Sequence, residues 1–463
     1  MESFAFTPDF TASVPLYEQL YRYAAEEIRA GRLGEGDALP SKRALAAHLG
    51  VSLSTVESAY ALLCAEGYAR SVPRSGFRVC AVAPFPQPAP KDEHARAEEP
   101  DTALDHSFST AAVDASLFPY AAWARLMREA VRDPRLLQRG QSQGDLGLRE
   151  ALCAFLHQYR GVSCRPEQVV VGAGLEYLTG LLLQLLPPEA VVGLEDPGYH
   201  ATYRAMAHHR RPFAAVPVDE HGLLPSALDA LGADVAYVTP SHQYPLGVTM
   251  PAPRRSELLR WAYEKPGRYI IEDDYDSEFR TASRPIPAMQ GMDGGNRVIY
   301  VGTFSRSIAP SIRAAYLILP PALLERYRVD FAHGASTVSR YEQRVLEEFL
   351  RSGQYVRHLR RTGTLYRTRE AALISALHTY FPEGRISGEG GGLHLLLTLP
   401  GRVETDLVRQ SRDAGYEIHG LSEYCRRASY PGATLVLGFA GLEAKQAAVA
   451  VATLRAVFDT EIQ

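Results

Sequence analysis

Apolar positions in the first eighty residues recur at helical spacing. Pro15 suits a first helical turn, and Leu16, Leu20, Tyr23 and Ile28 share one side of a predicted helix reaching about Ala30. Gly31 and Gly34 break it. Ser41 is placed to cap a second helix with Leu45 and Leu49 inward, and Gly50 to close it. A third helix, capped by Ser52 or Ser54, turns Val56, Tyr60 and Leu63 inward. Tyr68–Val72 and Phe77–Val79, joined through Pro73-Arg-Ser-Gly76, predict a β-hairpin. Two short helices around a glycine turn, followed by a hairpin, predict a winged helix-turn-helix over residues 13–80.

The pattern then changes twice. Residues 81–104 hold Pro84, Pro86, Pro88 and Pro90, then a charged run through Glu98-Glu99-Pro100, with too little apolar content to pack. They predict an extended linker. From residue 105 to 463, short β-branched runs alternate with helical stretches: Val169–Val171, Val191–Leu194, Val235–Thr239, Tyr269–Glu272, Val298–Tyr300 and Ala315–Leu319. That alternation predicts an α/β domain with a mostly parallel sheet covered by helices. From about residue 375, glycine-rich turns and the strands Leu393–Leu399 and Thr434–Phe439 predict a smaller α+β subdomain.

Composition narrows the functional classes. A chain of 463 residues, 46% hydrophobic, has room for two or three domains with real cores. No apolar run approaches the roughly 20 residues of a membrane span; Leu178–Leu186 is the most apolar stretch, and Pro187-Pro188 ends it. Met1-Glu-Ser-Phe has no basic region leading into an apolar one, so a cytoplasmic protein is expected. The five scattered cysteines lack metal-ligand spacing and fit free thiols in a reducing compartment. A net charge of −4 confines any DNA contact to a local basic patch.

The first module supplies such a patch. Ser52, Ser54 and Thr55 stand at a helix N-terminus, where hydroxyls and backbone N–H groups meet phosphates or base edges. Lys42, Arg43, Arg74 and Arg78 can neutralise backbone charge. The stretch from Leu39-Pro-Ser-Lys-Arg to Ser54-Thr-Val56, with Ala59-Tyr60 and Glu66-Gly-Tyr68, resembles the winged helix of GntR-type regulators. The resemblance implies a double-stranded DNA operator as partner, Ser41 and Arg43 as phosphate or base contacts, and Arg74 to Arg78 as the wing. A helical protein-interaction module with ordinary surface arginines is the competing reading.

Chemistry in the larger domain gathers at strand ends, where open α/β sheets bind ligands. Gly172-Ala-Gly174-Leu175-Glu176 opens a helix after a predicted strand, and its backbone N–H groups suit a phosphate. Then come Glu195-Asp-Pro-Gly-Tyr199, Thr239-Pro-Ser-His-Gln-Tyr-Pro-Leu-Gly247, Ile271-Glu-Asp-Asp-Tyr-Asp276 and Gly302-Thr-Phe-Ser-Arg306, the last running on to Arg313. The ordered series resembles the body of MocR-type regulators, which is related to fold type I pyridoxal phosphate (PLP) aminotransferases. That likeness implies Tyr199 stacked on the pyridine ring, Asp273 on the ring nitrogen and Tyr275 on the phenolic oxygen. It implies Thr303, Ser305 and Arg313 on the phosphate.

Two residues depart from the pattern. Leu175 stands where the family has a small hydroxyl residue. Arg306 stands where the family has its cofactor lysine. An imine needs a neutral amine, whereas guanidinium stays protonated above about pH 12 and serves poorly as a base near neutrality. The four lysines, Lys42, Lys91, Lys265 and Lys445, offer no substitute. Lys265 precedes the strand carrying Asp273 and falls at the sheet's other end.

Transamination is therefore not expected. Three roles for Arg306 stay open: holding PLP or a PLP–amino-acid adduct without a covalent bond, pairing with Asp273 so that no cofactor binds, or receiving another carboxylate effector. Arg426 and Arg427 are candidates for an effector carboxylate, with an exposed basic turn as the alternative. His394, on a strand, fits a satisfied core histidine. The expected protein is a DNA-binding regulator with a non-catalytic aminotransferase-like body. The resemblance implies a homodimer, and the body would sense a small effector, whether an amino acid, PLP or a related carboxylate. The rival is a working PLP-dependent aminotransferase with an accessory DNA-binding arm.

Overall fold

The computed structural model describes residues 6–83, 105–279, 286–294 and 296–460. Beyond Ala83, the expected linker lies outside the described residues. The chain divides into two units, Met1–Asp101 and Thr102–Gln463.

The first unit has helices Leu16–Arg29, Lys42–Leu49 and Leu53–Ala65. Ser41 Oγ accepts from Ala44 N–H at 3.2 Å, and Ser52 Oγ accepts from Thr55 N–H at 3.1 Å, so Ser52 caps the third helix. Gly50 closes the second helix at φ +65°, where a side chain is strained. Leu20, Ile28, Leu45, Val56, Tyr60 and Leu63 form the core. The wing holds three strands, not the two expected: β1 (Ala38–Leu39), β2 (Ala69–Val72) and β3 (Gly76–Val79) in the order β1-β3-β2. Two residues are too few to show alternation, so β1 left no signal.

The second unit is built on β4 (Val169–Gly172), β5 (Val192–Asp196), β6 (Phe213–Asp219), β7 (Gly222–Leu223), β8 (Val235–Val238), β9 (Tyr269–Asp274), β10 (Val298–Thr303) and β11 (Ala315–Ile318). Their order is β4-β11-β10-β9-β8-β5-β6-β7. Strands β6, β5, β8, β9 and β10 run parallel, while β11 opposes both neighbours and β7 opposes β6. The predicted mostly parallel sheet is present. β6 escaped prediction because Pro217 argues against a strand; it sits opposite Asp196, the last residue of β5. Parallel order brings the carboxyl ends of β5, β8, β9 and β10 to one side of the sheet.

The smaller sheet holds β12 (Arg385–Ser387), β13 (His394–Leu399), β14 (His419–Gly420) and β15 (Ala433–Gly438), all antiparallel, in the order β12-β13-β15-β14. Helices Gln354–Tyr380, Glu404–Asp413 and Ala447–Phe458 belong to the same region. Its core also takes Phe108 and Leu117, which lie soon after the expected linker, and Tyr366 and Leu373. The sequence placed this subdomain from about 375; residues from Phe108 onward carry no period of their own to announce that they join it. No helix among the described residues is long and apolar enough to cross a membrane.

Candidate functional site

Nine of the ten residues expected at the cofactor position line one cavity of about 270 Å³: Leu175, Glu176, Tyr199, Asp273, Tyr275, Thr303, Ser305, Arg306 and Arg313. The tenth, Gly174, lies just behind, in the left-handed region at φ +92°. A Cβ there would fall 2.4 Å from Arg313 Nη2, so only glycine lets that guanidinium lie against the start of helix Leu175–Leu185. Ala111, Thr239, Tyr244 and Pro310 also line the cavity and were not assigned. Tyr244 belongs to a flagged motif without having been given a role, and Ala111 left no signal.

Apart from Ala111, the lining follows from strand ends. Asp273 lies near the end of β9 and is buried; the Tyr237 hydroxyl donates to its Oδ2 at 2.6 Å. Burial pushes Asp273 up to about 7, outweighing that donor, with Asp274 and Asp276 adding to the rise. Tyr275 Oη is buried and has no partner among the described residues. Burial also holds its hydroxyl well above the ordinary tyrosine range. Beyond β10, Ser305 N–H donates to Thr303 Oγ1 at 3.1 Å, and the two hydroxyls lie 3.1 Å apart. Arg313 Nη2 donates to Glu176 Oε2 at 2.6 Å. Tyr244 Oη meets Thr110 Oγ1 at 3.0 Å and donates to Tyr424 Oη at 3.1 Å.

Arg306 donates from Nη1 to the backbone carbonyl of Thr110. The Arg306–Asp273 pair, one of the three open roles, is not formed. Among the described residues no lysine lines the cavity. Lys265 is mostly exposed, 3.6 Å from Asp229, and Lys445 is exposed beside Glu443.

The donor set fits a phosphorylated pyridine without its covalent bond. Hydroxyls, a guanidinium and a helix start face phosphate chemistry; a buried carboxylate lacks a cation, and a buried hydroxyl lacks a partner. Leu175 adds only an apolar side chain to that wall.

Arg426 and Arg427 do not line the cavity. Their backbone N–H groups each donate to the Asp196 carboxylate at 2.7 Å, and the Arg426 guanidinium lies 4.8 Å from the Tyr203 ring centre. The cavity's cations are Arg306 and Arg313. His394 is buried, with Nε2 2.7 Å from the Pro245 carbonyl; burial, the largest effect, holds it below the ordinary histidine range.

In the winged unit, Ser41, Arg43, Ser52, Ser54 and Arg74 are exposed, and Lys42, Thr55 and Arg78 are half-buried. Ser52 Oγ also lies 2.8 Å from both Ser54 Oγ and Thr55 Oγ1, clustering three hydroxyls at one helix start. Lys42 pairs with Glu57 at 2.6 Å. Arg78 donates to the Gly36 carbonyl at 2.9 Å and to Ser75 Oγ at 3.1 Å, so its guanidinium braces the wing from within. Arg74 stands at the wing tip with φ +63°.

Comparison with known proteins matches both units. "Bacterial regulatory proteins, gntR family" covers residues 16–79, and "Aminotransferase class I and II" covers residues 110–426. The chain is 38% identical over 459 residues to the HTH-type transcriptional regulator YdeL of Bacillus subtilis, spanning 97% of this chain and 98% of that protein. It is 30% identical to the "Probable rhizopine catabolism regulatory protein MocR" of Rhizobium meliloti, over 97% and 95% of the two chains. It is 34% identical to the HTH-type pyridoxine biosynthesis transcriptional regulator PdxR of Corynebacterium glutamicum, over 91% and 90%. In fold, the kynurenine aminotransferase of Pyrococcus horikoshii superposes at a TM-score of 0.67 with 23% identity, covering 78% of this chain and 91% of that one.

A GntR-type DNA-binding unit joined to an aminotransferase class I and II body defines a class of HTH-type transcription regulators. The chain belongs to that family and has the MocR-type architecture.

Proposed function

We propose that this regulator binds an operator in double-stranded DNA as a homodimer in the cytoplasm, and that its body senses a small molecule without turning it over. The observation carrying this reading is the cavity wall. Asp273, Tyr275, Thr303, Ser305 and Arg313 retain what a phosphorylated pyridine needs, while a guanidinium replaces the nucleophilic amine. PLP supplies an electron sink to enzymes that attach it; here the residues bind and orient only.

Each residue has a role in that reading. Arg313 and the Thr303 and Ser305 hydroxyls hold phosphate. Asp273 accepts from a ring nitrogen, and doing so gives its buried carboxylate the cation it lacks. Tyr275 reaches a ring oxygen, and Tyr199 covers the ring face. Leu175 removes one phosphate donor from the usual set, which favours binding that is reversible over binding that is tight. That the relative PdxR is named for pyridoxine biosynthesis accords with such a ligand.

Arg306 also gives a route from ligand to DNA. Its guanidinium holds the carbonyl of Thr110, in the segment that follows the linker and enters the small subdomain's core through Phe108. A ligand group that draws Arg306 away from Thr110 would free this segment of the body, and we take that change as the signal that alters the fit of the dimer to operator half-sites. Operator affinity and footprint, measured with and without PLP, pyridoxamine 5'-phosphate and free amino acids, test this. Identical footprints and affinities throughout would defeat the sensing role.

A further inference from the structure

The reading above leaves the substituent on the pyridine ring open, and the charges around Arg306 narrow it. Three carboxylates share or adjoin this wall. Glu176 is committed to Arg313 at 2.6 Å, Asp276 lies 2.7 Å from His242 Nδ1, and Asp273 accepts from the Tyr237 hydroxyl at 2.6 Å. Among the described residues none of these carboxylates pairs with Arg306, which donates instead to a neutral carbonyl. A guanidinium carries five donors, and no anion among the described residues answers this one, which lines the cavity.

Its charge is felt across the site. It draws the hydroxyls of Tyr199, Tyr244 and Tyr275 downward against the larger upward push of burial. Anchors at the ring nitrogen and the phosphate fix how a pyridine ring lies. By the resemblance of the Gly302–Arg306 segment, Arg306 takes the place of an amine that would meet the ring's reactive substituent. A permanent cation in place of a neutral amine inverts the preference there.

We propose that Arg306 is a specificity-determining residue that makes this cavity a receptor for phosphorylated pyridines bearing an oxygen substituent opposite the ring nitrogen. A carboxylate is preferred to an aldehyde, and the amine-bearing counterpart is rejected. The amine is an ammonium at neutral pH and meets the guanidinium as a like charge in a low-dielectric cavity. The carboxylate forms a forked, charge-assisted pair with it. The inference rests on the cavity taking a phosphorylated pyridine at all.

The experiment is a calorimetric or fluorescence titration of the full-length protein with 4-pyridoxic acid 5'-phosphate, PLP, pyridoxamine 5'-phosphate and inorganic phosphate. The carboxylate is expected to bind at least roughly tenfold more tightly than the amine, the difference a charge-assisted pair supplies, with PLP between them. In Arg306→Gln, whose folding is checked by its melting curve, the spread is expected to shrink to within about threefold. An amine that binds wild type as tightly as the carboxylate overturns the proposal, and this comparison needs no variant. So does a preference that survives unchanged in Arg306→Gln. If no pyridine phosphate outcompetes inorganic phosphate, the underlying reading fails too, an outcome distinct from binding without discrimination.

Discussion

Asp273 and Asp274 are neighbours on one strand, yet they live in opposite circumstances. Alternate residues of a strand face opposite sides of the sheet. Asp274 faces the side where Arg160 meets it at 2.8 and 3.1 Å, Ser241 donates at 2.9 Å and the Tyr300 hydroxyl also donates. These partners hold its carboxyl below the ordinary range although burial opposes them. Asp273 faces the cavity with one hydroxyl donor, and burial carries it to about 7. One carboxylate is complete within the fold. The other has a single hydroxyl donor and no paired cation among the described residues. The contrast separates residues that build this domain from those that serve it, although both were read from a single run, Ile271-Glu-Asp-Asp-Tyr275.

The largest expected effect breaks the structural member. Asp274→Asn leaves Arg160 buried without its counter-charge and should destabilise the body by about 3–5 kcal/mol, read by denaturant unfolding. A loss below about 1 kcal/mol would show that Asp274 is not the anchor described.

Next in size is the pH dependence of the ligand-free protein. Folding raises Asp273 from near 3.8 to about 7, so the fold favours its neutral form. That contribution is complete below about pH 4 and is lost as pH rises through about 7. Glu195, Glu272 and Glu278 are likewise raised by burial, to about 7, 7 and 8, so the wild-type curve alone cannot isolate one group. The difference between wild type and Asp273→Asn can. Relative to wild type, the variant should gain roughly 2–4 kcal/mol between pH 4 and pH 8. A difference that stays flat with pH would count against a strained carboxylate at this wall.

The same variant should weaken PLP binding about 10- to 100-fold, the value of a charge-assisted hydrogen bond. Unchanged affinity would place the ring nitrogen elsewhere. Smallest is Arg43→Ala in the winged unit. It should lower operator affinity severalfold and reduce the salt dependence by about one counterion. Unaltered salt dependence would remove Arg43 from the phosphate contacts.

Much of this was legible in the residues because the signals were local. Helix caps at Ser41 and Ser52, apolar period, and β-branched runs ending in charged or hydroxyl residues set out both units, and the cavity's walls lie at those strand ends. What stayed hidden was long-range. Ala111 reaches the cavity from a segment with no period, and Arg306 finds the carbonyl of Thr110, beside it, 196 positions away. Sequence also could not show that Arg426 and Arg427 lie off this cavity's lining, with their backbone N–H groups on Asp196 and the Arg426 guanidinium against Tyr203. β1 and β7 are two residues long, too short for any pattern.

The central claim is that a guanidinium stands where an amine would form a covalent bond. Intact-mass measurement of the full-length protein after saturation with PLP and borohydride reduction tests it most directly, with Arg306→Lys alongside. Saturable binding with no site-specific mass gain in wild type, and a single adduct at position 306 in the variant, is the predicted result. A stoichiometric adduct on one residue of the wild-type protein would contradict it.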